Sequence, residues 1–125
     1  MSLFRKVDAV LVKVPTLEEG LDFYCNKLGH ELRWRKEDQA AVKLGDCELV
    51  LSTKLDPETD LLVDSVVEAV QEIEKAGGKV IVPIEDIAVG KMAVIQDPFG
   101  NSLTLVDLSK GLYQTDSLGN VTAVE

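Results

Sequence analysis

The chain repeats itself. Thr16-Leu17-Glu18-Glu19 and Ser65-Val66-Val67-Glu68 both fit a capping box, and they stand 49 residues apart. In such a box the hydroxyl accepts from the third helical amide while the glutamate accepts from the backbone amide of the capping residue itself. The same offset lays Leu17 on Val66, Leu21 on Val70 and Tyr24 on Ile73, three positions that share one face of an amphipathic helix. It also lays Gly29 on Gly78. Each glycine follows a helical stretch that ends near a lysine, so both are expected as left-handed helix C-caps with positive φ. A chain built this way folds as two copies of one supersecondary unit.

Strand patterns flank each helix. Residues 7–14 precede the first, with Val10, Val12 and Val14 on one face, and 59–63 precede the second. After the first helix come 31–36, 39–44 and 47–52; after the second come 80–84, 91–96 and 102–108. Turn residues separate them at Lys36-Glu37-Asp38, Gly45-Asp46 and Asp97-Pro98-Phe99-Gly100-Asn101. The reading is α+β: βαβββ twice in one domain spanning 1–125. Module one covers about 6–53 and module two about 58–109, joined by a linker at 54–58. One helix covers only one face of such a sheet, so the other face needs the second module or a second chain. The tail 110–125 fits an added strand, a dimer arm or a disordered segment.

Hydrophobic residues make up 46% of the 125, enough to form a core without a metal or disulfide. With 13 basic and 22 acidic residues the net charge is −9. That charge repels phosphate backbones and anionic membrane surfaces, so neither nucleic acid nor membrane is an expected partner. The basic run Arg33-Trp34-Arg35-Lys36 then reads as a strand with alternating faces. Cys25 and Cys47 form no CxxC motif and read as reduced, which points to the cytoplasm. The N-terminus shows no signal peptide pattern and no run approaches a membrane span.

These motifs, in this order, resemble the vicinal oxygen chelate superfamily, the group of glyoxalase I, bleomycin- and fosfomycin-resistance proteins and extradiol dioxygenases. Residues 14–24, with Phe23-Tyr24, resemble its first helix. Leu28-Gly29-His30-Glu31-Leu32 resembles its Leu-Gly-Phe turn, and Ala76-Gly77-Gly78 with Asp97-Pro98-Phe99-Gly100-Asn101 resemble its second-module turns. The resemblance covers roughly 6–109. It implies a cupped mixed sheet with the helices outside, and homodimers in which modules pair, often between chains. It also implies a divalent metal in the cup, held by histidine, glutamine or glutamate from the first and last strand of each module. Such a metal chelates vicinal oxygens and stabilises an enediolate.

Carried onto this chain, the four metal positions are Ala9, Glu48, Glu58 and Thr104. Alanine cannot ligate and a neutral threonine ligates poorly, so no metal or other cofactor is expected. Glu48 is the candidate catalytic residue, because Leu49 and Leu51 face the helix and leave Glu48, Val50 and Ser52 on the cupped face. Asp60 is the substitute for Glu58, which adjoins Pro57. Leu11, Lys13, Trp34, Glu48, Val50 and Asp60 are the candidate ligand-binding residues. Lys13 also fits a solvated strand end, and Trp34 fits a core position whose N–H needs a partner. His30 is the only histidine; it reads as structural, after the C-cap glycine. No nucleophile triad, phosphate loop or zinc-finger spacing is present. Three functions stand open: a metal-free protein that binds a small organic ligand in the cup, a metal-dependent lyase, isomerase or dioxygenase-type enzyme using Glu48 with Glu58 or Asp60, and a purely structural or interaction role.

Overall fold

The computed structural model of the chain describes residues 2–125. They form two compact units. The first unit holds the described residues up to Asp8, Thr59–Leu112 and Val124–Glu125; the second holds Ala9–Glu58 and Tyr113–Ala123.

The second unit is built from β1 (Lys6–Lys13) from Ala9 onward, α1 (Leu17–Leu21), β2 (Leu32–Arg35), β3 (Gln39–Leu44) and β4 (Cys47–Ser52). Its strands lie in the order β2-β3-β4-β1. β4 runs antiparallel to β3 and parallel to β1, with Ala9 opposite Glu48 and Leu11 opposite Val50. Thr16 caps α1 by accepting from Glu19 N, as the capping box requires. The helix then widens into a π-helical turn over Asp22–Lys27, where Leu28 N donates to Phe23 O. Leu17, Leu21 and Tyr24 all reach the core, packed with Val14, Ala40, Leu49 and Leu51. Gly29 closes the segment at φ 82°. His30 Nδ1 lies 3.1 Å from the Lys43 carbonyl and braces that turn against β3.

The first unit is built from β5 (Glu58–Leu62), α2 (Val66–Lys75), β6 (Lys79–Ile87), β7 (Gly90–Gln96) and β8 (Ser102–Val106). The strand order β5-β8-β7-β6 matches the other unit, with β8 parallel to β5. Ser65 caps α2 through Glu68 N. Val66, Ala69 and Val70 bury against Ala93, Ile95 and Leu105. The βαβββ order is therefore present twice. β6 runs past residue 84 because its ladder shifts register between Val82 and Glu85. Pro83 sits there without an N–H to donate, and the strand lies at the end of the order, where such a bulge is tolerated.

One expectation is corrected at the end of α2. Gly77, not Gly78, takes the positive φ, at 106°. Gly78 is required for a different reason: a Cβ there would lie 2.5 Å from Ile73 Cγ2 and 2.9 Å from the Gln96 carbonyl.

The tail 110–125 folds as a hairpin of β9 (Tyr113–Thr115) and β10 (Val121–Val124). Its turn repeats the β7–β8 turn. Asp97 Oδ1 accepts from Phe99 N and Asn101 N, while Asn101 Nδ2 donates to Asp97 Oδ2. Asp116 makes the same three bonds with Leu118 N, Asn120 N and Asn120 Nδ2. Gly100 and Gly119 both sit at positive φ. The Asp-x-x-Gly-Asn spelling is thus one turn used twice, and these hydrogen bonds hold both aspartates below the usual carboxylate range.

Candidate functional site

Strand alternation sorts the second unit's side chains onto two faces. The face away from α1 carries a row that crosses all four strands: Leu11 on β1, Val50 on β4, Ala41 on β3 and Trp34 on β2. Ala41 is small, and with Ala9 it leaves the indole room to lie over the sheet. Ala9, Leu11, Trp34, Ala41 and Val50 form one buried apolar cluster. Glu48 lies one register step along β4 from this row. Its Oε1 accepts from Trp34 Nε1 at 3.1 Å. The indole N–H is thereby satisfied, and the half-buried carboxylate is anchored over an apolar floor.

The tail hairpin packs onto this face. The Tyr113 ring lies 4.8 Å from that of Trp34 at a tilt of 55°. Val121 joins the same cluster. Lys36 Nζ stands 4.3 Å from the Tyr113 ring centre and 5.8 Å from that of Trp34, within cation–π range of both. Arg35 N donates to Gly119 O at 2.8 Å. Leu11 and Val50, expected to line a ligand cup, are therefore packed beneath the chain's own tail. Lys13 is at the exposed end of β1, 3.5 Å from Asp56. Ser52 is fully buried, and its hydroxyl accepts from Lys54 N and Leu55 N to shape the linker.

In the first unit, β5 and β8 pair Asp60 with Thr104. This repeats the pairing of Leu11 with Val50, because Val63 N donates to Val106 O as Val14 N donates to Ser52 O; in register Asp60 is the counterpart of Leu11, and Glu58 that of Ala9. Glu58 is the first residue of β5.

A divalent metal needs several basic donors in one shell. The residues at these positions do not fit one. Ala9 carries no donor, Thr104 offers a neutral hydroxyl, and Glu48 already accepts from the indole. Among the described residues, no three His, Cys, Asp or Glu side chains stand close enough to share a metal.

Sequence reasoning missed three features. Tyr113 and Lys36 complete the aromatic arrangement at Trp34, and the second Asp-x-x-Gly-Asn turn was a legible sign that the tail forms a hairpin. Asp107 is a buried carboxylate in the first unit. It accepts from Val66 N at 2.8 Å, Lys91 N at 2.9 Å and Ser109 Oγ at 2.7 Å. A separate hollow of about 280 Å³ lies beside the start of α2 and is lined by Arg5, Asp64, Glu68 and Glu72. There Arg5 donates to both Asp64 oxygens. Among the described residues no helix is long and apolar enough to cross a membrane.

The sequence profile of the glyoxalase/bleomycin resistance protein/dioxygenase superfamily matches residues 6–105. No curated protein matches the chain. Among solved structures, methylmalonyl-CoA epimerase from Mycobacterium tuberculosis is similar at 16% identity and a TM-score of 0.67, over 86% of this chain and 90% of that one. A methylmalonyl-CoA epimerase complex with methylmalonyl-CoA and ammonium is similar at 17% identity and a TM-score of 0.66, over 85% and 95% of the two chains. Homoprotocatechuate 2,3-dioxygenase from Brevibacterium fuscum is similar at 16% identity and a TM-score of 0.60, over 84% of this chain but 37% of the dioxygenase. At these identities the likeness is one of fold.

Proposed function

The chain belongs to the glyoxalase/bleomycin resistance protein/dioxygenase superfamily, and we propose that it binds a small organic ligand on the Trp34–Glu48 face without the divalent metal of metal-dependent members. The observation that carries this reading is the β1–β4 register. It sets the methyl group of Ala9 against Glu48, whose carboxylate is already engaged by Trp34 Nε1. An anchored carboxylate beside an indole and an aliphatic floor suits an organic molecule with an apolar body and a polar end. Neighbours of similar fold that hold CoA derivatives support a small-molecule ligand.

Elemental analysis of freshly purified protein, paired with native mass spectrometry, tests the proposal. We expect substoichiometric zinc, nickel and manganese, and no thermal shift when any of them is added. One divalent ion per chain, retained through gel filtration, would overturn it. The enzymatic alternative would use Glu48 as a general base together with a second carboxylate. Glu58, in register with Ala9, or Asp60, in register with Leu11, would supply that second carboxylate.

A further inference from the structure

We propose that the tail hairpin is a displaceable internal ligand: Tyr113 occupies the Trp34–Glu48 face, and an electron-rich aromatic molecule binds there by ejecting it. This rests on the ligand-binding reading above and adds the chemical class of the ligand and the regulation of the same face.

Three observations carry it. First, the place Tyr113 fills is built for a ring. Trp34 forms one wall at 4.8 Å, Lys36 Nζ stands 4.3 Å over the Tyr113 ring, and Ala9, Leu11 and Val50 make an apolar floor. An ammonium over a ring face favours electron-rich rings such as phenols. The carboxylate of Glu48 lies at the rim, held by the indole N–H.

Second, the hairpin is lightly held. Its strands have three and four residues, and none of its residues is fully buried. A two-stranded hairpin of that size has marginal stability of its own. Segments with few buried contacts open at low free-energy cost.

Third, the hairpin's own hydrogen bonds are largely internal to it. The Asp116 turn satisfies the amides of Leu118 and Asn120 internally, and Leu112 and Glu125 exchange both backbone hydrogen bonds at its base. It can therefore leave the sheet as a unit, giving up the short parallel bridge between Arg35 and Asn120, in which Arg35 N donates to Gly119 O, and whose backbone groups water can satisfy. A tethered ring competes at the effective concentration set by its tether. A free ligand then binds with its affinity reduced by the fraction of chains whose tail is docked.

The test uses the full chain and 4-methylphenol, which is the tyrosine side chain as a free molecule. Trp34 is the only tryptophan, so its fluorescence reports on the face directly. We expect saturable binding to Tyr113→Ala that is about tenfold or more tighter than to wild type. Equal affinity for both would overturn the tail's role while leaving the face as a ligand site. No saturable change in either would overturn the ligand site and this inference together. Hydrogen exchange on wild type gives a second readout that does not depend on the variant folding. Amides of 113–124 should exchange at least about tenfold faster than those of β3 and β4, and faster still when 4-methylphenol is added. Exchange as slow as β3 and β4, or unchanged by the phenol, would overturn the inference.

Discussion

Asp107 shows how one buried side chain can hold an element in place and set a pH response. Burial raises its carboxyl pKa, but the donors from Val66, Ser109 and Lys91 outweigh that and hold it below the ordinary range. It caps the first amide of α2 from 41 residues away and ties β7 to the end of β8. The sequence could not reveal this, because a strand-end aspartate reads as solvated until its partners are known. The Glu48 side of β4 was legible because the alternation of Leu49, Val50 and Leu51 is local. A carboxyl with a depressed folded pKa contributes stability that is present above its unfolded value, about 3.9, and is lost as pH falls through the folded value. Urea melts at about pH 5 and about pH 3 should therefore show a larger loss for wild type than for Asp107→Asn. At neutral pH, Asp107→Ala should cost about 3 kcal/mol, because it strands several buried donors. An acid limb identical in wild type and Asp107→Asn would refute the assignment.

The two helix ends separate two uses of glycine that the repeat makes look alike. Gly29 needs its positive φ, and a Cβ there would meet nothing within 4 Å. Gly29→Ala should thus cost about 1 kcal/mol, the strain of a left-handed residue. Gly78 has no such φ, but its Cβ would press on Ile73 and the Gln96 carbonyl. Gly78→Ala should cost about 2 kcal/mol or more, because backbone cannot yield as a side-chain tip can. Thermal melts that rank Gly29→Ala as the more damaging change would contradict this account. The offset of 49 residues aligns the helices by their caps, and it located both N-caps and all three shared core positions. It fails past α2 because a glycine kept for close approach spells the same as one kept for φ. The β3 and β4 boundaries were legible because Gly45-Asp46 fixes their turn. The tail's hairpin turn was legible in its spelling, but its docking place was not, because its packing partners lie on β1 to β4, far away in sequence.

At the scale of the whole molecule, the resemblance led us to expect a homodimer, and the two hairpin turns offer contact points for one. The Asp-x-x-Gly-Asn turn places an apolar residue at its tip each time, Phe99 at 86% exposure and Leu118 at 74%. The side-chain hydrogen bonds that shape each turn come from its aspartate and asparagine, not from the tip side chain. Burying a large apolar side chain in a partner contributes about 1.5–3 kcal/mol, and a two-fold assembly uses each contact twice. Each chain carries a net charge of −9, so two chains repel one another at low salt. Screening shortens the range of that repulsion to about 8 Å at physiological ionic strength. Added salt should therefore strengthen the dimer, the reverse of its effect on an assembly held by opposite charges. Light scattering should give twice the chain mass of 13.6 kDa, with the dimer fraction rising from low to high salt. Replacing both tips, Phe99→Ser with Leu118→Ser, should shift the equilibrium to monomer without lowering the melting temperature of the monomer. A wild-type monomer at high micromolar concentration and high salt would refute the dimer. A dimer unaffected by the double substitution would move its contact away from the two turns.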